Sequence, residues 1–236
     1  MKRLLPIVAA IMLSATAFAA TPEDTIKSAL ERVGQPVQKV EPAPVAGLYA
    51  VYTDHGIIYA DATGAHVIGG SIFDAATKVN LTDLANLAAQ PKVDWASLPL
   101  NDAIKTVKGD GSRKFALFAD PDCVYCARLY SDAISHLDNV TIYTFLFPID
   151  SLHPGASDKS RKLWCAPDRA KAWEDWQSRH ALAEDNGACS TPLERNASLA
   201  QRLHVTGTPV VIFADGTEAA GLRPLVQVQA LLDRAQ

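Results

Sequence analysis

Cys123 and Cys126 stand with two residues between them in the stretch FALFADPDCVYCARLY, after an apolar run and before a segment of helical spacing. Two sulfurs so placed suit three kinds of chemistry: half of a zinc site, a structural staple, or a redox couple. Zinc wants a second close pair or histidines at short spacing. Here Cys165 and Cys189 lie far apart, and the six histidines are scattered. A permanent Cys123–Cys126 bridge closes so small a loop that chain entropy gives it little worth. The redox reading has a positive argument. A sulfur at a helix N-terminus meets unpaired N–H groups and partial positive charge, which favour the thiolate, the nucleophile of thiol–disulfide exchange. Cys123 is therefore expected to attack, and Cys126, one turn further in and more buried, to resolve. Asp122 is expected to cap the helix and to oppose the thiolate at short range, while Val124 and Tyr125 add no charge.

The other two cysteines have a different character. A Cys165–Cys189 bridge would close a loop of about 25 residues, worth about 3.5 kcal/mol in the chain-entropy account. It would lie in a polar, helix-like insertion where a cross-link helps, so it reads as structural. Four cysteines permit three connectivities, and the other two would tie up a redox pair expected to be exposed. Downstream, VTGTPVVIF places Pro209 at the opening of a strand, where it donates no N–H, and a cis bond from Thr208 is possible there.

These residues need elements to hold them. KFALFA predicts a strand running into the cysteines, a helix from about Cys123 to His136 follows, and then the strand VTIYTFLF. A short helix is expected around Asp102 to Val107. Residues 148–204 read as helical, and the strand VVIFA, a turn, a short strand around Glu218 to Ala220 and a helix from about Leu225 to Arg234 close the chain. This order predicts a sheet with helices on its faces. Upstream, ATPEDTIKSALERVG predicts a helix capped by Thr21 with Pro22 in its first turn, and QPVQKVEPAPVAG an extended connection. LYAVYT, IIYAD and AHVIGG predict a small antiparallel sheet. That unit buries little apolar surface and has an edge to cover, so pairing with a second copy is a physical expectation; packing onto the rest of the chain is the alternative.

The remaining composition bounds the setting. The chain has 236 residues, 48% hydrophobic and 20% charged, an ordinary globular balance. MKRLLPIVAAIMLSATAFAA has a basic start, a short apolar run and the small-x-small pattern Ala17-Phe18-Ala19, so residues 1–19 are expected to be an export signal cleaved after Ala19. Loss of Lys2 and Arg3 would take the formal charge from −4 to −6. No basic patch with interleaved aromatics suggests nucleic acid, and no later stretch approaches the ~20 apolar residues of a membrane span. No cofactor or metal is expected.

Taken in order, EPAPVAG, GIIYADATGAHVIGGSIFD, FADPDCVYC, LWCAPDRAKAW and VTGTPVVIFADGT resemble the bacterial periplasmic disulfide isomerases, DsbC and its relative DsbG. The resemblance covers essentially the whole mature chain. The CxxC alone marks only the thioredoxin-like superfamily; the PAPVAG segment and the LWCA–ACS pair narrow the match. It implies an α+β chain: a dimerisation domain of one helix and an antiparallel sheet at 20–77, a linker helix within 78–100, and a thioredoxin fold with a helical insertion at 101–236. It implies Cys123 as nucleophile, Cys126 as resolver, Pro209 as the cis-proline, and Cys165–Cys189 as the structural disulfide. Thr208, Pro209 and Tyr125 become candidate substrate contacts. The expected activity is isomerisation of non-native disulfides in misfolded exported proteins in the periplasm, by a homodimer kept reduced by a membrane thiol reductase of the Dsb system. The alternatives are a DsbG-like reductase of oxidised single cysteines, and a chaperone-like binding dimer. Val124 departs from the glycine of the best-known isomerase.

Overall fold

The computed structural model describes residues 20–182, 184 and 187–236. The expected export signal lies outside the described residues. The chain forms two compact units, one reaching to Gly70 and the other spanning Ser71–Gln236.

In the first unit, α1 (Pro22–Arg32) begins at the expected cap, where the Thr21 hydroxyl accepts from the Asp24 N–H. Four strands follow: β1 (Lys39–Pro42), β2 (Leu48–Thr53), β3 (Gly56–Asp61) and β4 (Val67–Ile68). They pair antiparallel in sequence order, so the stretch expected only to be extended contributes an edge strand at Lys39–Pro42. Ile26 and Leu30 of α1 pack on Val51 and Ala60, a small core that matches the short length of the unit. Gly64, at φ +67°, lets the turn between β3 and β4 approach α1; a Cβ there would sit 2.9 Å from that of Ala29.

The second unit holds α2 (Leu81–Ala89), β5 (Ile104–Lys108), β6 (Arg113–Ala119), α3 (Val124–Asp132), β7 (Val140–Leu146), α4 (Ala156–Cys165), α5 (Arg169–Arg179), α6 (Leu193–Arg202), β8 (Val210–Phe213), β9 (Glu218–Ala220) and α7 (Leu225–Arg234). The sheet order is β5-β7-β6-β8-β9. β6 and β7 run parallel, joined by α3, and the other neighbours are antiparallel. Strand alternation sorts the core into two layers. Phe115, Leu117 and Ala119 face α3, α5 and α7, while Ala116 and Phe118 face Leu199 and Ala200 of α6. Central β6 is thus buried on both faces, which is why FALFA reads as a continuous apolar run.

Residues of the expected linker rest on this unit: Leu84 and Leu87 of α2 join the larger core cluster, and the Asn80 N–H donates to Gln227 Oε1 (3.0 Å). The helix expected around Asp102 to Val107 is instead strand β5. The β-branched Ile104, Thr106 and Val107 suit a pleated edge, and Ile104–Lys108 pairs with Val140–Thr144 of β7. Asp102 caps no helix there; its carboxylate accepts two bonds from Arg195 of α6, at 2.8 and 2.6 Å.

Candidate active site

β6 ends at Ala119, and α3 begins after four intervening residues, so the sheet delivers Cys123 to the tip of a helix. Asp122 does not cap it. Cys123 itself is the N-cap, in extended conformation, and its Sγ accepts the Cys126 N–H at 3.4 Å. An N-cap acceptor meets an orphan donor of the first turn, so the sulfur occupies the place an oxygen usually fills and is favoured as an anion. Cys123 and Cys126 are both free thiols. Both are also buried, Cys123 at 5% exposure, so the redox pair is less open than expected; the flanking Val124 and Tyr125 are exposed, at 62% and 55%.

That loop closes the site. The Cys123 thiol donates to the Thr208 carbonyl at 3.3 Å, although the two residues are 85 positions apart. The Thr208–Pro209 bond is cis, and Pro209 leads directly into β8, whose Val210 pairs with Phe118 of β6. The structure therefore brings together Cys123, Cys126, Thr208 and Pro209, and leaves Tyr125 standing outward beside them. Cys165 and Cys189 are joined as a disulfide elsewhere in the unit.

The two thiols are driven apart in acidity. The Cys126 thiol donates to Cys123 and lowers it to about 5, with the Thr208 side chain and the Cys126 and Tyr125 N–H groups in support and burial opposing. The same hydrogen bond, together with burial and the Cys123 anion, pushes Cys126 well up. One sulfur is favoured as an anion; the other keeps its proton. The charge of Asp122, which alone would oppose the thiolate, is held by Lys159 of α4, whose Nζ lies 2.7 Å from both carboxylate oxygens.

Four residues around the loop went unread in the sequence: Asp120, His153, Lys159 and Trp176. Asp120 lies inside the quoted FADPDC, so a carboxylate three residues before the cysteine was a usable signal. The others sit 33 to 55 positions from the loop residues they bond, and no local pattern marks them.

The family described as a thioredoxin-like domain matches residues 100–236, and the disulfide bond isomerase protein N-terminal domain matches residues 17–83. The probable thiol:disulfide interchange protein DsbC of Bordetella avium is 38% identical over 195 residues, covering 83% of this chain and 68% of the relative. Its counterpart in Bordetella parapertussis is 38% identical over 186 residues, and the match spans 79% of this chain but only 65% of that relative's length. The thiol:disulfide interchange protein DsbC of Escherichia coli is 27% identical over 226 residues, covering 93% of this chain and 91% of that one. Among solved structures, a disulfide interchange protein from Neisseria gonorrhoeae superposes with a TM-score of 0.56 at 38% identity, over 59% of this chain and 99% of that one. On its N-terminal domain, its thioredoxin-like domain and these relatives, the chain belongs to the DsbC family of thiol:disulfide interchange proteins.

Proposed function

We propose that the chain is a thiol:disulfide isomerase and reductase of exported proteins, with Cys123 as nucleophile and Cys126 as resolving thiol. One observation carries the reading: a free cysteine caps α3 with its thiolate strongly favoured, against the Thr208–Pro209 loop and with a second free thiol behind it. The Cys123 thiolate attacks one sulfur of a substrate disulfide. A Cys123–substrate disulfide forms, and the other substrate sulfur leaves as a thiolate that takes a proton from water. Two exits follow. A second substrate thiolate attacks the substrate sulfur and returns Cys123 unchanged, which is isomerisation without net redox. Alternatively, Cys126 loses its proton and attacks Cys123; the substrate is reduced and the enzyme leaves with a Cys123–Cys126 disulfide. In the mixed disulfide the Cys123 charge is gone, and burial is what still opposes loss of the Cys126 proton and slows the second exit so that the first competes.

The oxidised enzyme needs an external thiol to restore it, and a membrane reductase of the Dsb system is the proposed donor. Export to the periplasm rests on the sequence of residues 1–19. No described helix is long and apolar enough to cross a membrane. In this reading residues 20–77 form the dimerisation domain, 78–100 the linker and 101–236 the catalytic domain, and two copies pair. Val67 and Ile68 of β4 are exposed, and β4 lies at one edge of its sheet, which supports pairing there. Tyr125 offers an exposed ring, and Thr208 main-chain groups, to bound substrate. The relatives compared above carry the DsbC name, which weighs against a specialised reductase of oxidised single cysteines.

The test is the refolding of a scrambled multi-disulfide protein by the reduced enzyme. Wild type should restore native pairing, and Cys123→Ser should lose the activity completely. Refolding that survives the substitution would remove Cys123 from the mechanism. Sedimentation of the full-length protein as a monomer would remove the dimer.

A further inference from the structure

A polar group beneath the redox loop has no part in the exchange steps above. Asp120 is fully buried, three residues before Cys123. Its Oδ1 accepts the Asp122 N–H (2.8 Å), and its Oδ2 accepts the Ile149 N–H (2.7 Å) and lies 2.9 Å from His153 Nδ1. Its main-chain carbonyl accepts the Cys123 N–H at 3.2 Å. One carboxylate thus ties the loop that presents Cys123 to the segment carrying His153. A buried carboxylate is costly unless bonded and paired, and the partly exposed His153 ring is its partner.

The neighbouring charges are otherwise committed. Asp122 is held by Lys159 of α4. Asp150 is bound by the backbone and hydroxyl of Ser157, also in α4. From α5, Trp176 donates its indole N–H to the Pro121 carbonyl at 2.7 Å and carries no charge. The Thr208 loop faces Cys123 with a main-chain carbonyl. Of the thiols, Cys126 stays neutral and Cys123 is the anion.

We propose that His153 is a positioning residue for the thiol exchange: through Asp120 it fixes the loop that presents Cys123, and as an imidazolium it stabilises the Cys123 thiolate. The inference rests on Cys123 being the nucleophile of the proposed reaction. The bond to Asp120 raises the His153 pKa above the ordinary histidine value, with the charges of Asp120, Cys123 and Asp122 adding to this and partial burial opposing. The coupling is reciprocal. Once Cys123 is bound in a disulfide its negative charge is gone, and His153 moves back toward its ordinary value.

Two measurements on the full-length protein test this. In the first, nuclear magnetic resonance follows the His153 ring through a pH titration of the reduced and the oxidised protein. The reduced protein should hold the ring proton about threefold more tightly, as expected for charges near a protein surface. In the second, the ultraviolet absorbance of the thiolate is titrated in His153→Gln, which keeps a hydrogen-bond donor and removes the charge. The thiolate should be about three- to tenfold less favoured than in wild type. A residue that only supported the fold would move the unfolding midpoint and leave both titrations alone. Equal His153 midpoints in the two redox states, or an unchanged Cys123 titration in His153→Gln, overturn the proposal. The first comparison needs no variant and decides alone if His153→Gln fails to fold. Exchange of wild type with glutathione separates the two claims: no exchange sinks the proposed function, whereas normal exchange with an uncoupled His153 sinks only this inference.

Discussion

Cys123 stands at the N-terminus of α3 and Cys165 at the C-terminus of α4, two helix ends of opposite polarity. The first end offers N–H groups and partial positive charge, the second carbonyls and partial negative charge. Cys123 is buried yet favoured as a thiolate, while Cys165 is partly exposed and its partner Cys189 exposed, yet they form the closed disulfide. Exposure therefore does not separate the reactive pair from the inert one. What separates them is the polarity of the helix end and the length of chain each bridge would close. Cys123 and Cys126 are three positions apart, so a bridge between them constrains almost nothing. Cys165 and Cys189, 24 apart, staple the helical insertion that carries Lys159 and Trp176 to the redox loop.

The comparison can be broken from either side. The largest effect is on activity: Cys123→Ser should abolish disulfide exchange, whereas the double replacement Cys165→Ala with Cys189→Ala should keep exchange rates within about twofold, the effect expected when no reacting atom is touched. Equal losses in a refolding assay would mean that the two pairs do not divide the work as described. Next comes stability. The double replacement should cost about 3.5 kcal/mol in urea unfolding, the loop-closure value.

The pH dependence follows in size. Cys123 is lowered to about 5, so the stability it lends the reduced fold is complete above the ordinary thiol value and is lost as pH falls through about 5. The Tm of the reduced protein, relative to the oxidised, should therefore drop as pH falls from about 8.5 toward about 5. Alkylation of Cys123 should show the same midpoint. A midpoint at the ordinary thiol value would show that neither the Cys126 thiol nor the helix end acts on this sulfur. The smallest effect belongs to Lys159→Gln, which frees the Asp122 charge beside the thiolate. For a partly exposed pair the loss of thiolate should be about two- to threefold, read from the alkylation rate below neutral pH. No change would limit Lys159 to packing against the Trp176 ring, over which its Nζ lies at 5.4 Å.

How much of this was readable varies with the range of the forces involved. The ends of α1, the strands β2 and β3 and the run into the cysteines were legible because turn residues, caps and hydrophobic periodicity act within a few positions. Strand β5 was misread as a helix. Its five residues are too few to show a period, and what fixes them is the edge of β7, more than thirty positions away. The capping of α3 was misassigned for a related reason. Asp122 is the better cap by residue type, but Lys159 and the Asp120 carboxylate hold its side chain and its N–H elsewhere.

By itself the sequence determined the chemistry available: two thiols at helix spacing, a second pair suited to a long loop, and a proline opening a strand. These depend on residue type and on separations along the chain. Only the tertiary structure decided which charges surround the thiolate. Asp120, His153, Lys159 and Thr208 meet around Cys123 from the residue after β6, from the segment before α4, from α4 and from the loop before β8. The CxxC spacing brings Cys126 and the first-turn N–H groups to Cys123, but Coulomb forces and hydrogen bonds also act across space, so the contribution of these distant groups belongs to the packed sheet and its helices and is encoded by no spacing in the chain.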